Sequence, residues 1–185
     1  VIEEFKETCL NEPYGDAWHH MSELMYKVHP YRWPVIGLTP EHLENAVLDD
    51  VKNFYRHWYS PNNAVLVICG KVNTAETLEM VKKWFGPIPP RDTPGRKMPV
   101  EPKQKGAKFR EVRADVPLPA IFLCFRSPAR GHKDFYALDL LSDVLAQGNS
   151  SRLYRRLLKE QRLFSSIDAY LTANFDPGLI VLEGK

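Results

Sequence analysis

The sequence predicts an α+β fold of two layers, in which helices pack on one face of a largely antiparallel sheet. Helical periods and strand-like apolar runs occur in separate blocks rather than in βαβ alternation. A proline-rich segment divides the chain into two pieces. The second piece ends in two apolar runs joined by Asp176-Pro177-Gly178, which is typical of a β-hairpin.

Two helices are predicted to open the chain. Val1, Ile2, Phe5 and Cys9 share one side of the first helix, which breaks at the NEPYG turn. The second helix carries apolar residues at positions i, i+3, i+4 and i+7, the spacing of a buried helix face. The residues expected in the core are Tyr14, Ala17, Trp18, Met21, Leu24, Met25 and Val28.

Three helices and one strand are predicted to complete the first piece. The segment HPYRWPVIGLTP holds three prolines and must be irregular, and Thr39-Pro40 then begins a short helix. Asp49 is expected to cap a longer helix, the run AVLVICG to form a buried strand, and Thr74 to Phe85 to form an amphipathic helix. The expected buried faces are Val51, Phe54, Tyr55 and Trp58, and Leu78, Val81 and Phe85.

The segment from Pro87 to Gly106 holds six prolines and few large apolar side chains. This composition predicts a linker at residues 87–106 between a first domain at 1–86 and a second at 107–185. Strands are expected near 108–114, 120–126, 164–173 and 178–183. Helices are expected at about 133–147 and after Ser150.

Composition excludes several classes of protein. The 25 basic and 23 acidic residues give a net charge of +2, and they form no block of like charge, so nothing indicates nucleic-acid binding. No apolar stretch reaches the roughly 18 residues of a membrane span. The three cysteines are far apart, and Cys69 and Cys124 lie in apolar runs, which favours buried free thiols.

The residues alone reveal no self-contained active site. The chain holds no GxGxxG, GxxxxGK[ST], GxSxG or HExxH motif. His19 and His20 are the only adjacent histidines, and neighbours on a helix point about 100° apart, so they do not grip one metal ion as an i, i+4 pair does. His57 is expected to face solvent, and His29 and His132 to lie in loops.

Several motifs in order nevertheless resemble one family. VIEEF, the N-x-P turn, HPYRWPVIG, FYRHWYSPNNAVLVICGKV and the PIP of the linker are similar to the middle of a pitrilysin/insulinase-family zinc metallopeptidase of the HxxEH type. GNSSRLYRRLLKEQ and the hairpin after it resemble the opening of that family's next homologous domain. The resemblance covers nearly the whole chain and implies that residues 1–86 end a zinc-bearing domain and residues 107–185 begin an inactive-type one.

The resemblance also implies a metal site. The family holds one zinc ion with two histidines of HxxEH, whose glutamate is the general base, and with a later glutamate. By position in VIEEF that later ligand is Glu4, with Glu3 as its neighbour. The alternative is that Glu3 and Glu4 are solvated acids at a helix start. Because HxxEH does not occur in this sequence, the resemblance implies that it lies ahead of Val1. We therefore expect the fragment alone to bind no zinc and to have no peptidase activity.

One departure from the family pattern concerns substrate binding. Family members use an Arg and a Tyr from a partner half to contact substrate and transition-state charge. The matching places here hold Leu157 and Phe164, and Arg156 is one place out of register. This indicates the zinc-bearing half of a two-half enzyme, whose second half is in the same chain or in another subunit.

The leading hypothesis is therefore a fragment of an endopeptidase that encloses peptides or small proteins between two homologous halves. The alternatives are a non-catalytic homologue, serving as a substrate-binding or structural partner, and a stand-alone binding module. Periplasmic and cytoplasmic locations both stay open. The chain opens within a helical pattern and ends by a strand, so we expect open sheet edges and self-association of the fragment.

Overall fold

The computed structural model describes all 185 residues, which form two compact units, 1–38 with 100–185 and 39–99. The six α-helices are α1 (Ile2–Phe5), α2 (Ala17–Met25), α3 (Pro40–Glu44), α4 (Leu48–Trp58), α5 (Thr74–Phe85) and α6 (Phe135–Ala146). The three strands are β1 (Ile121–Arg126), β2 (Ile167–Leu171) and β3 (Leu179–Gly184). Lys6–Asn11 and Tyr154–Glu160 are π-helical, and Pro30–Arg32 and Pro61–Asn63 are single 3₁₀ turns.

The opening helix starts as α1 and widens into the π-helical segment before the NEPYG turn. Phe5 and Cys9 are buried, as the predicted stripe requires. Tyr14 adopts φ +65°, an uncommon conformation outside glycine. A Cβ at Gly15 would lie 2.2 Å from the carbonyl oxygen of Thr8, so only glycine fits where the turn folds back on the helix.

The main core lies between α2 and one face of the sheet. Met21, Met25 and Tyr26 pack against Leu179 and Val181, and both of these strand residues are completely buried. The predicted stripe of the second helix is confirmed at Met21 and Met25. It is wrong at Val28, which is exposed because the helix ends at Met25, and Tyr26 was not predicted. Further contacts to this cluster come from Ala17, Trp18, Tyr31, Phe122, Cys124 and Tyr170.

The sheet is antiparallel and has the order β1-β3-β2. In the register, Cys124 lies opposite Val181, which lies opposite Tyr170, so these three side chains share the face that meets α2. β2 and β3 form the predicted hairpin, and α6 packs against β2. The predicted mixed fold with an antiparallel sheet is confirmed.

Residues 100–118 run beside α2 in the opposite direction, and we call them the strap. Lys108 donates to the carbonyl oxygen of Leu24, Arg110 reaches Glu23, and the amide of Leu118 donates to the hydroxyl of Tyr14. The prediction of a strand at 108–114 is wrong. The strap is extended, but its side chains bond to α2 and its backbone joins no ladder.

The unit at 39–99 carries α3, α4 and α5. Asn73 caps α5 through its side-chain oxygen, which accepts from the amides of Ala75 and Glu76. The predicted strand in AVLVICG is wrong, because residues 64–69 pair with no other strand and are exposed. The predicted buried face of α4 is exposed too, and on α5 Leu78 and Phe85 are exposed while Val81 is half-buried.

The predicted linker at 87–106 is largely irregular. Residues 89–105 hold no helix or strand, in keeping with their prolines. Homologous domains and packing units are different divisions of a chain, so the domain boundaries at 1–86 and 107–185 stay a prediction. None of the helices combines the length and the apolar composition needed to cross a lipid bilayer.

Candidate functional site

Glu4, the predicted zinc ligand, lies on α1 with its side chain exposed. Its carboxylate takes part in no hydrogen bond or ion pair, and its carbonyl oxygen accepts from the hydroxyl of Thr8 at 2.7 Å. Glu3 differs, because Lys6 donates to its carboxylate at 2.8 Å. This hydrogen bond and the charge of Lys6 lower the pKa of Glu3. Of the two acids, Glu4 has the uncommitted carboxylate.

The helix that carries Glu4 is anchored by the next residue along the chain, Phe5. Phe5 is buried and meets the ring of His19 edge-on, with the ring centroids 5.6 Å apart. The chain is π-helical directly after Phe5, and at the end of that segment the amide of Glu12 donates to the carbonyl oxygen of Glu7. π-helical segments are rare and are frequent at functional sites. The packing therefore holds Glu4 on the outer side of a fixed helix.

Metal coordination needs more than this one carboxylate. No group of three or more His, Cys, Asp or Glu side chains is placed so that it could hold a metal ion. A structural or catalytic zinc ion takes at least three protein ligands. The residues of this chain therefore do not make a zinc site by themselves, and Glu4 could contribute only one ligand to a site completed by other residues.

His19 and His20 point to different partners, as the helix geometry predicts. Nε2 of His19 lies 2.9 Å from the carbonyl oxygen of Gly37, and its Nδ1 is buried without a partner. His20 lies between Asp16 and Arg110, at 3.1 Å and 3.2 Å. The two rings serve packing and surface contacts and do not converge. His57 is exposed, as predicted.

His29 of the HPYR segment belongs to a buried clamp that the sequence did not reveal. The amide of Tyr31 donates to its Nδ1 at 3.2 Å, so Nε2 carries the proton and donates to Asp176 at 3.3 Å. The amide of Asp176 donates to the hydroxyl of Tyr31, and the hydroxyl of Tyr26 donates to the carbonyl oxygen of Pro177. Three rings thus fix the β2–β3 turn against the end of α2. The only sequence signal was the Asp-Pro-Gly turn itself.

Glu101 is the acidic residue whose carboxylate accepts the most hydrogen bonds in the chain. Its carboxylate accepts from the amides of Lys27, Val28 and His29 at 2.7, 2.9 and 2.9 Å, and Arg126 lies 3.4 Å away. Burial raises the pKa of Glu101, but the three amides and Arg126 outweigh burial and leave that pKa below its usual value. This acid fastens the strap to the end of α2.

Leu157 and Phe164 occupy the places where the family would carry its Arg and Tyr. Leu157 is half-buried in the π-helical segment, and the ring of Phe164 lies against Gly184. Neither side chain can donate a hydrogen bond. Arg156 is exposed, as expected for a surface cation.

A cleft of about 640 Å³ lies between α2, the strap and β1. Its walls are mainly apolar, and its one thiol is Cys124, whose pKa burial raises to about 11. That thiol is protonated at neutral pH and is a poor nucleophile.

All three cysteines are free. Cys9 is buried and Cys124 half-buried, but Cys69 is exposed, so the expectation of a buried thiol is wrong there.

Comparison with known families gives one match, which covers more than half of the chain. Residues 45–185 match the family described as the peptidase M16 inactive domain. Among curated proteins, the zinc protease PqqE of Helicobacter pylori is 36% identical over 168 residues, which are 89% of this chain and 38% of that protein. The chain thus spans well under half the length of this relative.

Solved structures agree with this match. A protease from Helicobacter pylori superimposes with a TM-score of 0.85 at 32% identity, over 99% of this chain and 45% of that one. A peptidase M16 inactive domain from Pseudomonas fluorescens superimposes with a TM-score of 0.77 at 18% identity, over 100% of this chain and 44% of that one. The second likeness, at its low identity, supports the fold alone.

Proposed function

The chain belongs to the M16 (pitrilysin/insulinase) family of peptidases, and we propose that it is part of a zinc-dependent endopeptidase that hydrolyses peptides enclosed between two homologous halves. The observation that carries this proposal is the match over residues 45–185 together with a relative named as a zinc protease. The chain spans 38% of that relative, so the activity is proposed for the longer protein, which we call the parent protein.

We place the HxxEH motif in the part of the parent protein that precedes Val1. Two observations support this placement. The chain contains no HxxEH, and it offers no cluster of metal-binding side chains. The 185 residues alone are therefore expected to bind no zinc tightly and to cleave no peptide, because a catalytic zinc site takes about three protein ligands.

Glu4 is proposed as the third zinc ligand of the parent protein. Its carboxylate is exposed and unpaired on a helix that Phe5 anchors, whereas the carboxylate of Glu3 is held by Lys6. A carboxylate ligand lowers the net charge of the zinc site and leaves a coordination position open. Zinc would supply the Lewis acidity for hydrolysis, and the contribution of this chain is one oriented ligand.

A second candidate is a non-catalytic partner subunit. The description of the matched family as an inactive domain favours it. The presence of Leu157 and Phe164 at the Arg/Tyr places argues against a half that supports the zinc site of another subunit, because neither residue can stabilise an oxyanion. The two candidates differ in whether the parent protein holds zinc.

The test uses the parent protein with Glu4→Gln and the neighbouring Glu3→Gln as a matched control. We expect about one zinc per parent chain and cleavage of a quenched fluorescent peptide library. Glu4→Gln should lower zinc affinity by more than about 100-fold, which exceeds the cost of losing an outer-shell partner, and should abolish cleavage. Glu3→Gln should keep both.

Zinc content and circular dichroism separate the alternatives. A parent protein that is folded but holds no zinc would show that it is the non-catalytic partner subunit rather than the peptidase. Equal zinc binding by wild type and Glu4→Gln would overturn the ligand assignment and leave the peptidase proposal to the cleavage assay.

A further inference from the structure

Residues 92–99, which we call the bridge segment, connect two anchored points of the chain. Before the bridge segment, the amide of Arg91 donates to the side-chain oxygen of Asn62 at 3.1 Å, and the side-chain amide of Asn62 donates to the carbonyl oxygen of Arg91 at 2.9 Å. After it, the carboxylate of Glu101 accepts from the amides of residues 27–29. The chain is therefore held on both sides of the bridge segment.

The bridge segment itself is irregular and open to solvent. Its sequence is DTPGRKMP, no part of it is helix or strand, and every residue except Thr93 is exposed. Its two prolines lack the amide hydrogen that a helix or a sheet would use. Exposed connections of this kind are the preferred sites of proteolytic nicking. A protease can bind the bridge segment without first unfolding a helix or a strand.

Arg96 and Lys97 lie next to each other within the bridge segment and are its only basic residues. Both side chains are exposed. Proteases select substrates through pockets beside the bond that they cut, and an acidic pocket binds an Arg or Lys side chain through charge-assisted hydrogen bonds. Two adjacent cations offer such a protease two charges on one accessible stretch of chain.

We propose that Arg96-Lys97 is a processing site, at which a protease that requires a basic residue before the cut divides the chain after Lys97. Water adds to the carbonyl carbon of Lys97, and the bond from that carbon to the nitrogen of Met98 breaks. The products are a carboxylate on Lys97 and an amine on Met98, which takes up the proton. Because a second protease performs the cut, the proposal is independent of zinc binding by the parent protein.

The two products stay together, because a hydrophobic core joins residues on opposite sides of the cut. Met21 and Met25, which precede the cut, pack against Leu179 and Val181, which follow it and are completely buried. Burial of one such side chain contributes about 1.5–3 kcal/mol. The hydrogen bonds of Glu101 to residues 27–29 also join the two products. Cleavage therefore makes a protein of two associated chains and releases no fragment.

The cut changes how the unit at 39–99 is tethered. In the intact chain this unit is joined to the other unit by two covalent connections, at residues 38–39 and at residues 99–100. After cleavage only the connection at 38–39 remains, and the segment that ends at Lys97 is free at its carboxyl end. Opening a closed loop increases the conformational entropy of the chain. Processing would thus loosen the unit at 39–99 and spare the core of the other unit.

The decisive material is the parent protein purified from its native cells in the presence of protease inhibitors. We expect two chains on a denaturing gel, of which the second begins at Met98 by mass spectrometry of its amino terminus. Size-exclusion chromatography without denaturant should show one species that contains both chains. A parent protein that is intact in its native cells would overturn the proposal, and so would a second chain that begins elsewhere.

Trypsin, added to the intact parent protein, provides the matched comparison of sites. A chelator is present so that a zinc peptidase does not cut itself. Cleavage after Arg96 or Lys97 should be at least about 10-fold faster than cleavage after Lys103 or Lys105, because these two exposed lysines belong to the strap, which must first open. A first cut in the strap would overturn the proposal.

Two double variants complete the test. Arg96→Gln combined with Lys97→Gln should lower the rate of the first tryptic cut by at least about 10-fold, because the next basic sites are in anchored parts of the chain. Lys103→Gln combined with Lys105→Gln should leave that rate unchanged. Equal rates for the two double variants would contradict the assignment, and products that separate without denaturant would show that the core does not hold the two chains together and would overturn the proposal.

Discussion

The strap is held mainly by Glu101, so the substitution Glu101→Ala should destabilise the unit formed by residues 1–38 and 100–185. The side chain of Glu101 is only 8% exposed, and its carboxylate accepts three amide hydrogen bonds beside Arg126. Alanine would leave three amides without their acceptor and would remove the ion-pair partner of Arg126, whose guanidinium still donates to the carbonyl oxygen of Met25. Glutamine keeps one carbonyl oxygen and removes the charge, so it should cost less.

The magnitude follows from the contacts. A hydrogen bond to a charged group contributes about 1.5–3 kcal/mol, and the three bonds to one carboxylate do not add because water reaches the amides once the acid is gone. We expect a net loss of about 3 kcal/mol for alanine and about half of that for glutamine. For a chain of this size, about 3 kcal/mol corresponds to a fall in melting temperature of roughly 6 to 12 °C.

The assay is thermal unfolding at several pH values, followed by circular dichroism. The folded-state pKa of Glu101 lies below its usual value of 4.5, so its contribution is present above pH 4.5 and disappears as the pH falls through the folded-state pKa. The difference between wild type and Glu101→Ala should therefore shrink in acid. Glu111→Ala is the control, because Glu111 is exposed and its ion pair with Arg113 is long, at 3.7 Å. A variant Glu101→Ala that melts with wild type at pH 7, or whose deficit does not shrink at any pH below 4.5, would refute the reasoning.

Two further predictions concern the sheet. Leu179→Ala should lower the free energy of unfolding by about 2–5 kcal/mol, because Leu179 is completely buried where β3 packs on α2 and its truncation leaves a cavity. Urea unfolding measures this loss, and a value below about 1 kcal/mol would contradict the prediction. The outer edge of β1 pairs with no strand, so the isolated chain should self-associate through that edge. Leu123→Lys, which places a charge on the exposed face of β1, should shift sedimentation towards the monomer, whereas a monomeric wild type would contradict the prediction.

The sequence predicted best where neighbours in the chain are also neighbours in space. The β2–β3 hairpin follows from two apolar runs and the turn at Asp176-Pro177-Gly178, which need no distant partner. The face of α2 that holds Met21 and Met25 follows from helical periodicity alone. Both predictions depend on spacing over a few residues.

The predictions that failed concern elements whose state depends on distant residues. Lys108 and Arg110 bond to α2, so the segment at 108–114 stays a strap rather than a strand. The partnership of Glu101 with the amides of 27–29 joins positions more than 70 residues apart, and a single sequence carries no signal for it. The clamp of His29 and Asp176 escaped prediction for the same reason.

The prediction of a strand at 64–69 and the prediction of Glu4 as a zinc ligand both depend on groups that lie outside those residues. Periodicity indicates which face of a helix or strand needs to be buried, and a motif indicates which residue can bind a metal. Neither indicates which residues cover that face or complete the metal site. A strand through Val67 would need a second strand beside it, just as a zinc ion bound at Glu4 would need two further ligands. The zinc content of the parent protein therefore tests whether those further ligands exist. A parent protein that orders its sheet and binds no zinc would have kept the fold of the peptidase without its chemistry.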